Sequence, residues 1–257
     1  MKTKGIPREI LHLLGCALLI LNGLAVFLTG MPYQLASGVT VSFSLANVLW
    51  MFAFPIFAFL LVEAFRNTQD FKRLATGVLL FAIVFEIPFD LVQCWRVFDL
   101  SLNNQFFTLF LGLLALKILE EGWNPVWKVL GILALCAVSC VLRCEYGPCG
   151  ILLVLLFWNT RMGRYAWLIR LAGMLVLAWL SLSISLRGVS SMIVPERLPL
   201  GGGHVESQYL YVLSLIPISL CDRGGAIGHR KAVCFAYGLV PIAFLAIYFL
   251  RRGILGA

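Results

Sequence analysis

Long apolar runs, broken by short polar stretches and by Gly- and Pro-bearing turns, recur from one end of the chain to the other. A helix needs about 20 mostly apolar residues to cross the hydrocarbon layer of a bilayer. Nine runs meet or approach that description: Leu11–Leu28, Phe43–Phe65, Leu74–Val92, Phe106–Leu119, Val126–Leu142, Gly147–Trp158, Ala166–Leu186, Gln208–Leu220 and Ala232–Leu250. The fourth, sixth and eighth are short. They either start inside the adjoining polar segments or lie buried in the bundle, and Pro217 interrupts the last of the three. The pattern therefore predicts an all-α fold, a polytopic membrane bundle of about nine crossings, eight to ten at the limits, forming a single transmembrane domain over residues 1–257. Between the seventh and eighth runs, Pro195 and Pro199 keep Gly188–Glu206 from continuing as helix.

Composition strengthens this reading and removes others. With 61% hydrophobic and 12% charged residues, the chain holds more apolar side chains than one soluble core hides, so lipid must cover part of them. Eight cysteines without a Cys-x-x-Cys pair speak against a zinc ribbon, no metal site is expected, and no Gly-rich phosphate loop follows a strand pattern. The net charge of +8 is read by position, as orientation and lipid or phosphate contact, and no nucleic-acid partner is expected. Placing the N-terminus in the cytoplasm puts most Lys and Arg inside and leaves Arg96, Arg143, Arg187, Arg197, Arg251 and Arg252 outside. Arg251 and Arg252 would move inside with ten crossings. The first run reads as a retained anchor, because Gln34-Leu35-Ala36-Ser37 makes a poor cleavage site.

Carboxylates in the middle of apolar runs cost about 2.5–3.5 kcal/mol each on insertion scales, so each calls for a function or a partner. Glu86 and Asp90 stand four apart, on one helix face, with Pro88 between them. Two readings remain open for them: pairing with Arg96 or Arg143, or a part in substrate binding or catalysis, one of the two serving as general base. Glu63 and Arg66 have the spacing of an ordinary helical ion pair. On the inner side, Arg73, Arg223, Arg230 and Lys231 surround a connection rich in Gly, at Gly224, Gly225 and Gly228. Such a group suits the phosphates of a nucleotide-type donor such as coenzyme A, or anionic lipid headgroups. On the outer side, Arg143, Glu145 and Tyr146 form a tight polar turn before Gly147-Pro148. His12, His204 and His229 read as surface residues, and Cys136, Cys140 and Cys144 as small packing residues on one helical face, with a Cys144–Cys149 disulfide as an alternative use.

The blocks Ala-Phe-Pro-Ile-Phe-Ala-Phe-Leu at 53–60, Glu63, Asn67-Thr68, Lys72-Arg73-Leu74 and Glu-Ile-Pro-Phe-Asp-Leu at 86–91 follow one another in a pattern that resembles the TraX family. Further matching stretches are Asn-Gln-Phe-Phe-Thr-Leu-Phe-Leu-Gly-Leu-Leu at 104–114, Glu145-Tyr146-Gly147, and the basic turn at 222–231 with its aromatic last run, so the resemblance reaches across nearly the whole chain. It implies a multi-pass protein of the bacterial cytoplasmic (inner) membrane, related to membrane acyltransferases. The named plasmid member of that family acetylates pilin. Implied with it are acetyl-CoA or another acyl-CoA as donor and a pilin-like protein or envelope glycan as acceptor of the acyl group, at an amine or hydroxyl.

The chain departs from the family where its chemistry is expected. An Asp-His pair in the first span is replaced by Leu21-Asn22-Gly23, a Gly-Arg pair by Trp50-Met51, and a Tyr-Pro-x-His of the last span by Val240-Pro241-Ile242-Ala243. Under the acyltransferase reading, Glu86, Asp90 and Glu145 are the catalytic candidates, and Arg73, Arg223, Arg230 and Lys231 hold the donor. Asn22, Phe54, Pro55 and Tyr146 then line the passage by which the acceptor approaches. The alternatives are a relative without catalysis that binds a protein or lipid partner, and a small transporter, which the lack of two similar halves disfavours.

Overall fold

A computed structural model of the chain describes residues 6–29, 39–94, 96–100, 102–160, 165–186, 197–200, 203–221 and 230–255. The fold is all-helical apart from one short hairpin. In chain order the elements are α1 (Arg8–Thr29), α2 (Val39–Asn67), α3 (Phe71–Gln93), α4 (Gln105–Glu120), α5 (Pro125–Val141), α6 (Gly147–Asn159), α7 (Ala166–Leu186), β1 (Arg197–Leu200), β2 (Gly203–Glu206), a 3-10 segment (Ser207–Ser214), α8 (Leu215–Leu220) and α9 (Arg230–Leu255). Among the described residues, Arg8–Phe27, Phe71–Gln93 and Lys231–Gly253 are long and apolar enough to cross a membrane, and α5, α6 and most of α7 are shorter apolar helices.

The local signals behind these elements are plain. Asn104 caps α4 by accepting from the Phe106 N–H at 2.9 Å, and Asn124 caps α5 with Pro125 in its first turn. Lys128 returns its ammonium to the Leu119 carbonyl at 2.7 Å, near the end of α4. The expected eighth run is a 3-10 segment followed by a six-residue α-helix. Pro217 falls in the first turn of α8, where its nitrogen is asked for no intrahelical bond. The Pro-rich connection before it folds as β1 against β2, antiparallel, with Arg197 opposite Glu206. None of the eight cysteines is in a disulfide, so Cys144 and Cys149 are not joined.

The chain gathers into two compact units. The first comprises Met1–Ile56, Val84–Asp99 and Glu196–Ala257. Its main pairing is α1 against α9. His12 meets Tyr237, and Gly23 lies against Phe244 and Ile247, so position advances in the same direction along both helices and they run parallel. Both are among the helices long and apolar enough to cross a membrane. Gly23 permits the approach: a Cβ there would stand 3.1 Å from the Phe244 ring. Phe244 in turn packs on Phe85 of α3, ring centroids 5.0 Å apart, and both are fully buried. Ahead of α1, the Ile6 N–H donates to the Leu220 carbonyl at 2.7 Å and ties the chain to the end of α8.

The second unit comprises Phe57–Ile83 and Leu100–Pro195. Here α4 and α6 run side by side in parallel, closest where Gly112 faces Val154. Rings stack around them: Phe81 on Phe106 at 4.5 Å, Phe57 on Phe106 at 5.3 Å and Phe59 on Phe157 at 6.1 Å. The 13-residue α6 measures only about 20 Å against a hydrocarbon layer of about 30 Å. Most of its residues are buried by protein, so this short helix is not asked to span lipid alone.

Candidate functional site

Three polar side chains of the first unit are buried. Asn22 of α1 is 2% exposed, Glu86 of α3 5% and Asp90 0%. Gly23, next to Asn22, lies against Phe244, and Phe244 packs on Phe85, next to Glu86. Arg251, near the end of α9, is also buried.

Asp90 has a defined partner. Its Oδ2 accepts from the Asp99 backbone N–H at 2.8 Å, and its carbonyl accepts from the Cys94 N–H at 2.8 Å, so this residue holds the turn that follows α3. Oδ1 has no hydrogen-bond partner among the described residues. Arg96 pairs with Asp99 at 3.4 Å and stays largely exposed, and Arg143 belongs to the other unit. Cys94, just past α3, reports on the charge here. Burial first, then the negative charges of Asp99, Asp90 and Glu86, push its thiol up.

Glu145 and Tyr146 fall in the second unit, in a turn held mainly by Asn103, just ahead of α4. Asn103 and Cys144 form a parallel bridge: the Asn103 N–H donates to the Arg143 carbonyl at 3.1 Å and the Glu145 N–H to the Asn103 carbonyl at 2.9 Å. The Asn103 side-chain amide also donates to the Leu142 carbonyl, and the Thr108 hydroxyl to the Glu145 carbonyl. Arg143 (φ 48°), Tyr146 (φ 61°) and Gly147 (φ 42°) are all left-handed, a conformation costing a non-Gly residue about 1–3 kcal/mol. Glu145 is 5% exposed and Tyr146 half-buried. Gln105, which opens α4, is completely buried, and neither of its amide atoms finds a partner among the described residues.

The basic residues are divided. Arg73 is exposed in the second unit, near the start of α3, and its backbone N–H is held by Asp70 Oδ1 at 3.0 Å. Lys231 is exposed at the start of α9 in the first unit. Arg230 opens α9, while its side chain and the whole of Arg223, with the rest of the 222–229 turn, lie outside the described residues. Phe54 and Pro55 are buried within α2. Glu63 and Arg66 form the expected ion pair at 3.2 Å, and Arg66 is further occupied by the Trp158 carbonyl at 2.5 Å and the Trp158 ring at 4.8 Å. Among the described residues, no three His, Cys, Asp or Glu side chains gather as metal ligands would.

Two features escaped the sequence reading. His12 is half-buried, its Nδ1 3.0 Å from the Tyr237 hydroxyl, and is no simple surface residue. The Asn103-Asn104 pair, whose second member also donates to the Ala82 carbonyl at 2.8 Å, had a readable signal, since Asn just before an apolar run marks a helix start.

An all-helical scaffold of apolar spans with carboxylates and carboxamides sealed inside it defines a polytopic membrane protein with a polar interior. The family model described as TraX protein matches residues 9–200, and the chain belongs to the TraX family. That match stops before the 222–231 turn and α9, so the resemblance seen there in the sequence is not part of it. No curated protein and no solved structure gives a significant match.

Proposed function

We propose that this chain is a membrane acyltransferase. It moves an acetyl or other acyl group from a cytosolic acyl-CoA to an amine or hydroxyl of a pilin-like protein or envelope glycan, in a bacterial cytoplasmic membrane with the N-terminus inside. The observation that carries the reading is the burial of Asn22, Glu86 and Asp90 in the first unit of a TraX-family chain. A carboxylate shielded from water among apolar and aromatic side chains can take the proton of an amine or hydroxyl as it attacks a thioester.

In this scheme Glu86 is the base, Asp90 shares its helix face while holding the turn after α3, and Asn22 supplies a neutral carboxamide where relatives carry an imidazole. Phe54 and Pro55, buried in the part of α2 that belongs to the same unit, border the acceptor's approach. Arg230 and Lys231, at the start of α9, bind the donor phosphates. The test is coenzyme A release from acetyl-CoA by purified protein in liposomes, supplied with a pilin-derived peptide or an envelope glycan. Glu86→Gln lowers the rate by about 100-fold or more while acetyl-CoA binding persists. A folded Glu86→Gln protein working at the wild-type rate excludes this base.

A second reading, a relative that binds a protein or lipid without turnover, is favoured by Asn22 in place of the imidazole and by the structural duty of Asp90. Wild-type protein that neither binds nor cleaves acetyl-CoA would establish it over the first.

A further inference from the structure

The α1–α9 seam has a polar beginning and a polar end, with little between them. At its start stand Arg8 and Glu9 of α1 and Arg230 and Lys231 of α9; further along lies Asn22, next to Gly23, which lies against Phe244, and Phe244 packs on Phe85, next to Glu86. The intervening α1 segment, Ile10–Leu21, contains one strongly polar side chain, His12, and the α9 segment beside it offers Tyr237. These two meet. Nδ1 of His12 lies 3.0 Å from the Tyr237 hydroxyl, and the rings touch edge to face with centroids 5.7 Å apart. The hydrogen bond fixes the imidazole plane and occupies one nitrogen, leaving Nε2 for another partner on a half-buried side chain. From His12 to Asn22 is ten residues of helix, about 15 Å.

We propose that the His12–Tyr237 pair is the subsite for the pantetheine arm of the acyl donor. The inference rests on the acyl-CoA reading above and adds how the thioester reaches the carboxylates. The arm is a neutral, extended chain with amide groups along it. Basic residues at the start of the seam hold the charged nucleotide, the apolar seam accepts the methylenes, and Nε2 gives one of the amides the hydrogen bond it would otherwise leave in water. The pair is a positioning element, and no bond to the acyl group is made or broken there. Nε2 donates to an amide carbonyl when Tyr237 donates to Nδ1, and accepts from an amide N–H in the other tautomer. Either fits, because an amide offers both groups.

The test is isothermal titration of three probes into full-length protein in detergent: acetyl-CoA, acetyl-pantetheine, which lacks the nucleotide, and adenosine bisphosphate, which lacks the arm. His12→Leu weakens acetyl-CoA and acetyl-pantetheine about tenfold and leaves adenosine bisphosphate unchanged. His12→Gln, which keeps an amide-binding group, recovers part of the loss. Because His12→Leu strands the buried Tyr237 hydroxyl, the double variant His12→Leu/Tyr237→Phe, with both partners apolar, provides a folded protein for the same comparison. Unchanged acetyl-CoA and acetyl-pantetheine affinity in the double variant overturns the subsite, as does equal weakening of all three probes. Wild-type protein that binds none of them overturns the donor reading itself, and the subsite with it.

Discussion

The contact between Gly112 and Val154 sets how closely α4 and α6 approach, and its worth can be worked out. A Cβ added at Gly112 would lie 2.9 Å from Val154 Cγ2, 3.2 Å from its Cβ and 3.4 Å from its Cγ1, where ordinary contact begins at 3.4 Å. Val154 is fully buried and branched at Cβ, so turning χ1 exchanges one methyl for another and brings no relief. The helices must separate by about half an ångström, and overpacking of this kind costs about 1–3 kcal/mol. Replacing Gly by Ala inside a helix returns about 1 kcal/mol. Gly112→Ala is therefore expected to destabilise by up to about 2 kcal/mol, a fall of up to about 8 °C in apparent melting temperature. In a Val154→Ala background the clash is absent and the same substitution becomes neutral or stabilising. Gly77, on α3 with nothing within 4 Å of its added Cβ, is the control, and its Ala variant melts no lower than wild type. Thermal unfolding in one detergent measures all five proteins. An identical shift for Gly112→Ala in both backgrounds would refute the argument, since the effect would then owe nothing to Val154.

Two further expectations concern charge and topology. In a protein whose other cysteines are replaced, Cys94 alkylates more slowly than an exposed thiol at neutral pH, because the reactive form is the thiolate and burial with Asp99, Asp90 and Glu86 holds the proton on. Raising the pH speeds the reaction, and Asp99→Asn shifts the whole profile to lower pH; an unshifted profile would show that the carboxylate does not act on the thiol. Single cysteines at Pro7 and Arg252 label from opposite faces of sealed vesicles with a membrane-impermeant maleimide, and labelling from one face would contradict the parallel run of α1 and α9.

Much of the helical layout was legible because bilayer thickness leaves few choices: an apolar run such as Leu74–Val92 has no plausible reading except the helix observed at Phe71–Gln93. Boundaries were less so. Asn104 and Asn124 start α4 and α5 through caps that hydropathy ignores, and Pro217 turns the last short run into a 3-10 segment and a brief helix. Which helices touch was not readable at all, because the α1–α9 seam depends on Gly23 receiving Phe244, a complementarity that leaves no periodic trace in either segment. The same gap hid the polar partners. His12 looked like a surface residue because Tyr237 lies 225 positions away in the chain, and the carboxylate of Asp90 was open to pairing with arginines when it in fact binds the Asp99 backbone. The Glu63–Arg66 pair was readable because both members sit on one helix, one turn apart.

The pairing of the first helix with the last also governs how the molecule is made. Ribosomes deliver α1 to the membrane well before α9, and the groove over Gly23 then stays without Phe244 until some 200 further residues have been synthesised and inserted. The helices α4 to α7 find their neighbours locally and can assemble while the chain is still emerging, whereas the unit containing Asn22, Glu86 and Asp90 closes only once α9 has been made. A nascent chain thus carries its polar interior half-built through most of its synthesis. Any premature stop before residue 230 leaves Asn22 on a helix that has lost the partner it was shaped to meet, a species for membrane quality control to recognise and remove.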